Sequence, residues 1–272
     1  MNRIEYFAAM LAGEEKSKLT IEKYLRDVKA FLFFCKGELS RESVLKYKER
    51  VGSEYEKTSA NSMIAAVNCY LEFIGRGDFR IRQFRIQKKP FCPEEKELTR
   101  DEYIRLVKTA ERNGNERLSL ILQTICGTGI RISELRFITV EAVRRGEATV
   151  SCKNKTRAVF IVKELRKKLL AYSGKLGIKT GSVFVTRSGA PVSRTNVWRE
   201  MKGLCESAGV SPTKVFPHNL RHLFARVFYG IEKDIAKLAD ILGHSSIETT
   251  RIYIMTSGAE HRRKMELMRL II

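Results

Sequence analysis

Apolar residues recur every three or four positions through most of this chain. Ile4, Phe7, Ala8 and Leu11 precede Gly13 in the spacing of an amphipathic helix. A second stripe, Ile21, Tyr24, Leu25, Val28, Phe31 and Leu32, follows Thr20, which can cap it. Ser40 opens a shorter helix through Val44, Leu45 and Tyr47. Thr58 or Ser59 opens a fourth, with Met63, Ile64, Val67, Tyr70, Leu71 and Ile74, stopped by Gly75. Residues 1–75 therefore predict a bundle of four helices with no strand. From residue 76 to 97 the periodicity fades. Arg76, Arg80, Arg82, Arg85, Lys88 and Lys89 crowd ahead of Pro90, Pro93 and an acidic patch, the composition of a linker with a basic first half.

A second domain begins at Thr99, which forms a capping box with Glu102. Its first helix carries Tyr103, Leu106 and Val107. The apolar run Leu118–Cys126 predicts a buried helix, broken by Gly127 and Gly129. Arg131 falls at this break, before Ser133, Glu134 and Leu135 restart a helix. There an arginine sits at the edge of the core, partly desolvated, where charge-assisted hydrogen bonds are strongest. Residues 148–152 and 158–162 are β-rich, and Lys153, Lys155 and Arg157 place three cations in the turn between them. A helix through Leu165, Leu169 and Leu170, a short strand at 183–185, and a Ser193-capped helix through Val197, Trp198, Met201 and Leu204 follow.

Pro217 suits the first turn of the next helix. His218 and Arg221, three apart, share a face, while Leu220, Phe224, Val227 and Phe228 can meet the core. His222 is expected on a different part of the surface, as a structural histidine. The helix from Asp234 to Leu242 ends at Gly243, a C-terminal glycine signal, with His244 just beyond. Ser245 to Glu248 read as another capping box, opening the helix that carries Tyr253. The tail keeps an apolar stripe, Met265, Leu267, Met268, Leu270, Ile271 and Ile272, which is expected to fold back or to dock on another copy of the chain. The fold class is mainly α with a small β-hairpin, an α+β domain behind an all-α N-terminal bundle. The boundaries are 1–89 for the helical domain, 90–98 for the linker and 99–272 for the second domain with its tail.

Charge sharpens this picture. The 272 residues carry 51 Lys and Arg against 31 Asp and Glu, a net charge of +20. Residues 1–90 hold 18 cations and 12 acids, so both halves are basic. So large and distributed an excess is expected to meet a polyanion. No apolar run is long enough to span a bilayer, and the N-terminus lacks a signal peptide's apolar core. The six cysteines form no C-x-x-C pair, so free thiols in a reducing compartment, the cytoplasm, are expected. Four histidines without metal-ligand spacing predict no metal. His218 and His222 flank Asn-Leu-Arg, which is not the metalloprotease helix pattern.

Taken together, Gly129-Ile130-Arg131 with Ser133-Glu134-Leu135, the hairpin lysine, His218-x-x-Arg221-His222, Leu242-Gly243-His244 and Thr249-Thr250-Arg251-Ile252-Tyr253 resemble the tyrosine recombinases, the phage-integrase and Xer-like family. The order and spacing match over residues 99–256, and the N-terminal bundle resembles the family's DNA-gripping core-binding domain. The resemblance implies a catalytic set of Arg131, Lys153, His218, Arg221, His244 and the nucleophile Tyr253. It implies double-stranded DNA as substrate, a 3′-phosphotyrosyl intermediate, no cofactor, metal or ATP, and a homotetramer on DNA. The residue types suit that chemistry. A phenolate can attack a phosphodiester and leave again. Two guanidinium forks match phosphate oxygens and stay charged. His218 can accept the phenol proton, His244 can hold the phosphate by a hydrogen bond, and a lysine can protonate the departing 5′ oxygen. The hairpin departs from the family's usual Gly-Lys-Gly-x-Lys and is one residue shorter, so Lys155 stands as the alternative to Lys153. A type IB topoisomerase and a non-catalytic DNA-binding protein are the alternative functions. The target sequence and any accessory protein are not encoded in these motifs.

Overall fold

The computed structural model describes residues 3–86, 96–152, 155–255 and 258–269. The chain divides into two compact units, Met1–Lys88 and Lys89–Ile272.

In the first unit, α1 (Arg3–Gly13), α2 (Lys18–Cys35), α3 (Arg41–Glu54) and α4 (Lys57–Phe73) form the expected all-helical bundle. Phe7, Leu11, Val28, Ala66 and Tyr70 make one buried cluster. Phe31, Val44, Tyr47, Val51, Ile64, Val67 and Leu71 belong to a second. Two starts differ from expectation. Ser17, not Thr20, caps α2, its hydroxyl accepting from the Thr20 backbone N–H. The buried stripe begins one turn inside the helix, and Leu19 in the first turn is exposed, so periodicity does not mark the start. The fourth helix starts at Lys57, leaving Thr58 and Ser59 inside its first turn. The basic stretch is not all linker. Asn68 exchanges two hydrogen bonds with the backbone of Ile81, at 2.8 and 3.0 Å. Asn61 does the same with Phe84, at 2.9 and 2.7 Å. The two amides act as a false strand edge on α4, and Ile81 is buried there.

The second unit is mainly helical around one antiparallel pair. Its elements begin with α5 (Arg100–Arg112), α6 (Glu116–Thr128), a 3-10 turn (Ile132–Phe137) and α7 (Val140–Arg145). Strands β1 (Glu147–Cys152) and β2 (Lys155–Phe160) follow, in register from Glu147↔Phe160 to Cys152↔Lys155. Then come α8 (Lys163–Lys175), α9 (Arg194–Ala208), α10 (Pro217–Glu232), α11 (Ile235–Leu242), α12 (Ile247–Ile254) and α13 (Gly258–Leu267). Thr99 and Glu102 form the predicted capping box on α5. Leu118, Ile121, Leu122 and Ile125 of α6 are buried with Leu106, Val150, Leu169, Phe184, Met201 and Leu220 in the main core.

Several expectations change here. Ser133 to Leu135 lie in a 3-10 turn rather than an α-helix. Residues 183–185 make only an isolated bridge, Val185↔Pro191. Lys155 and Arg157 belong to β2, not to the turn, because the ladder continues to Cys152↔Lys155. Val227 is 48% exposed and does not reach the core, since the buried face of α10 runs through Leu220, Leu223 and Ala225. Ser246, not Ser245, caps α12. In the tail, Met265, Leu267 and Met268 are exposed, whereas Leu270, Ile271 and Ile272 lie outside the described residues. Among the described residues no helix is long and apolar enough to cross a membrane.

Candidate active site

Two glycines bring the segments together. Gly129 ends α6 at φ +65°, and a Cβ there would sit 2.5 Å from the Phe224 ring. Only glycine takes this left-handed position at no steric cost and lets α10 approach. Gly243 ends α11 at φ +65°, and a Cβ there would lie 2.4 Å from Cδ of Arg157. Both glycines offer carbonyls to arginines. Nη1 of Arg221 donates to Gly129 O at 2.5 Å, and Nη2 of Arg131 donates to Gly243 O at 3.4 Å.

Arg221 is 1% exposed. Its Nη2 also donates to Leu242 O at 2.7 Å and lies 2.9 Å from Nε2 of His244. Its buried Nε has no hydrogen-bond partner among the described residues, an unusual state for a buried donor. Burial first, then the neighbouring Arg131, lowers its pKa to about 10, so it stays cationic at neutral pH.

Glu134, 2% exposed, binds two more arginines. Its Oε1 accepts from Nη1 of Arg131 at 2.9 Å, and its Oε2 from Nη2 of Arg157 at 2.7 Å. The backbone N–H of Arg131 also donates to Oε2, at 2.9 Å. Burial opposes the carboxylate's charge. The Arg131 backbone donor and the two guanidinium groups outweigh it and hold the carboxyl below its ordinary range. Arg157 further donates to Ile241 O at 2.8 Å, which ties β2 to α11.

Tyr253, 9% exposed, stands among three histidines. Its hydroxyl is 3.4 Å from Nδ1 of His218. His222 stacks on its ring at 4.1 Å between centroids and 12° between planes, and His244 tilts against it at 4.9 Å. The Arg221 guanidinium lies 5.7 Å from the ring centre. Burial and the surrounding arginines keep all three imidazoles neutral at pH 7. His218 is lowered by burial, then by Arg221, Arg131 and Arg194. His222 and His244 are each brought to about 4, by burial first and then by Arg226 and Arg221 respectively.

The structure thus gathers Arg131, His218, Arg221, His244 and Tyr253 into one connected cluster. Lys153 lies outside the described residues, as does the side chain of Lys155. His222 corrects its expected place, because one step along α10 turns it toward α12, not toward a separate surface. Sequence reading gave no separate role to Glu134 or Thr250, and it counted Arg157 among turn cations aimed at phosphate, whereas its guanidinium is held by Glu134 and Ile241 O. Glu134 was detectable as an acid three residues after Arg131, the spacing of a local ion pair. No local signal marks these partners of Arg157, because they come from distant segments.

Guanidinium forks, neutral imidazoles and a phenol in one cluster have the chemistry to bind and attack a phosphate. The phage integrase family model matches residues 96–260. Tyrosine recombinase XerA of Thermococcus kodakarensis is 31% identical over 98% of this chain and 95% of its own length. XerA of Pyrococcus furiosus is 28% identical with similar coverage, 98% and 94%. A crystal structure of XerA recombinase is 26% identical and superposes with a TM-score of 0.57 over 99% of this chain and 98% of its own. A lambda integrase dimer bound to a COC' core site, 18% identical, shares the fold with a TM-score of 0.75 over 94% and 95% of the two chains. The chain belongs to the phage integrase family of tyrosine recombinases, and it is a site-specific recombinase.

Proposed function

We propose that this recombinase cuts and rejoins duplex DNA through a 3′-phosphotyrosyl intermediate, with Tyr253 as nucleophile. The observation that carries the reading is the Tyr253 hydroxyl, 3.4 Å from His218 Nδ1 and beside the buried Arg221. Neutral His218 has a free lone pair to accept the phenol proton. The tyrosyl oxygen attacks phosphorus, and the 5′ oxygen leaves with a proton supplied by Lys153 or Lys155. Arg131 and Arg221 neutralise the charge that builds on the non-bridging oxygens. Preorganised donors of this kind contribute on the order of 3 kcal/mol each to the transition state. The buried Nε of Arg221, unpartnered among the described residues, supports this role, because it leaves the guanidinium's charge incompletely balanced beside Tyr253. The phosphotyrosyl bond conserves the energy of the phosphodiester, so rejoining needs no ATP.

The partner is a double-stranded recombination site, consistent with a net charge of +20. The XerH recombinase seen bound to its difH substrate shares this fold, with a TM-score of 0.70. Exchange between two duplexes uses four active sites, which makes a homotetramer the working form, acting in the cytoplasm. A nicked duplex that traps the covalent product tests the chemistry. Wild type is expected to form a protein–DNA adduct and Tyr253→Phe none. Adduct formation by Tyr253→Phe would remove Tyr253 from the nucleophile's place.

A further inference from the structure

The hydrogen-bond roles at His244 can be assigned by elimination. A guanidinium is a donor only, so Nε2 of His244, 2.9 Å from Nη2 of Arg221, acts as the acceptor. A neutral imidazole then carries its proton on Nδ1. Nδ1 lies 2.9 Å from Oγ1 of Thr250, a residue with no exposed surface, on the same helix as Tyr253. The hydroxyl is therefore the acceptor that this tautomer requires. Arg221 and His222 on α10, Arg131 before the 3-10 turn, Arg157 on β2 and Tyr253 on α12 surround the ring. Three of these neighbours are cations, which disfavours a second proton on it.

We propose that Thr250 is a positioning residue that holds the His244 ring in place, through its Nδ1 proton, in the DNA-free protein. Nε2 is thereby kept as an acceptor that locks Arg221 in place before the scissile phosphate arrives. Without the hydroxyl, the Nδ1 proton loses its acceptor in a buried place, the ring is no longer held, and the Arg221–His244 bond is weakened. This inference rests on the proposed phosphotyrosyl chemistry only for its consequence on cleavage. The proton's position is a property of the free protein.

The test uses the full chain labelled with ¹⁵N-histidine. With four histidines in the sequence, His244→Gln identifies the His244 signals by their disappearance. Imidazole ¹H–¹⁵N correlations at pH 7.5 without DNA are expected to show His244 as the Nδ1–H tautomer in wild type and in Thr250→Ser. Thr250→Val, which keeps the shape and removes the hydroxyl, is expected to move the Nδ1–H signal and speed its exchange with water, because that proton loses its acceptor. It should also slow single-turnover adduct formation by about ten- to a hundredfold, the usual scale for removing a partner that orients a functional histidine. Thr250→Ser restores the rate, and duplex affinity stays within about twofold in both variants. An Nε2–H tautomer in wild type overturns the proposal. So does a slower Thr250→Val whose His244 Nδ1–H signal and exchange are unchanged, which would make Thr250 a packing residue. So does a changed Nδ1–H signal with an unchanged rate. If Thr250→Val does not fold, Thr250→Ala takes its place under the same criteria. Should wild type form no adduct at all, the phosphotyrosyl reading fails, and the Nδ1–H measurement still decides the role of Thr250.

Discussion

Glu134 and Arg157 meet at 2.7 Å in a place where only 2% of Glu134 remains exposed. The same carboxylate fixes Arg131 through its other oxygen, at 2.9 Å. One acid thus sets the spacing of an arginine proposed to touch phosphate and of another that ties β2 to α11. Replacing it leaves two partly buried cations without their counter-charge. Removing one partner from a buried ion pair costs about 3–5 kcal/mol. Glu134→Ala is expected to lose stability on that scale in urea denaturation, and to lose adduct formation along with it. Glu134→Gln keeps acceptor oxygen and shape, so it is expected to recover part of the stability and little of the activity. An alanine variant as stable as wild type would show that the arginines find other partners.

The neutral histidines around Tyr253 make stability depend on pH in a defined window. His222 and His244 have folded values of about 4, while an unfolded imidazole titrates near 6.5, a value that is about the same in any exposed histidine. Between those values the unfolded chain holds more protons than the folded one, so stability rises with pH across about 4 to 6.5. It is fully present above that window and declines on acidification, levelling out once the folded imidazoles also protonate. The loss between pH 7.5 and 5 is expected to be on the order of 1 kcal/mol or more after allowing for solvent screening. A His222→Phe/His244→Gln double variant should show a smaller difference between the two pH values. Equal pH slopes for wild type and the double variant would contradict the buried neutral state. Glu134 acts in a lower window. Its depressed carboxyl adds stability above the ordinary carboxylate value of about 4.3, and that contribution disappears as pH falls through its still lower folded value.

Gly243 explains how much of this site could be read in advance and how much could not. The residues Leu242-Gly243-His244 announced a helix end with a histidine behind it, and α11 does end there. Such signals are local, set by backbone conformation and spacing, as are the four helices of the first unit and the Thr99 capping box. What a Cβ on Gly243 would strike, however, is Arg157, which is remote in sequence and reaches the glycine through the packing of β2 on α11. The same holds for His222. Periodicity placed it one step away from the His218 and Arg221 face, but the direction from which α12 arrives put it against Tyr253. Tertiary proximity of this kind leaves no periodic mark in the chain.

Gly243→Ala tests the close approach. The left-handed backbone costs a β-carbon about 1 kcal/mol, and the methyl group must also displace Arg157 from 2.4 Å. The expected result is a loss of about 1–3 kcal/mol, with Arg157 released from Ile241 O and Glu134. Pairing the change with Arg157→Ala removes the obstruction, so the second substitution should cost less in the Gly243→Ala background than in wild type. A double-mutant cycle reads this directly. Strict additivity would show that the two residues do not interact.

The tail carries the last prediction. Met265, Leu267 and Met268 are all exposed at the end of α13, three large apolar side chains within four residues, each more than half exposed among the described residues. Proteins seldom leave such groups grouped and bare unless another surface covers them. A second copy on DNA is the occupant that fits the proposed tetramer, because every protomer would give one tail and receive one. Truncation after Ala259 leaves α12 and Tyr253 in place, so single-site duplex binding and adduct formation on a nicked substrate are expected to stay within a few-fold of wild type. Paired-site complexes in native gels, and recombinant product from two duplexes, are expected to drop by an order of magnitude or more. Restoring the tail with Met265, Leu267 and Met268 changed to serine separates apolar contact from mere length. Full recombination by that triple variant would rule out the apolar stripe as the link between protomers.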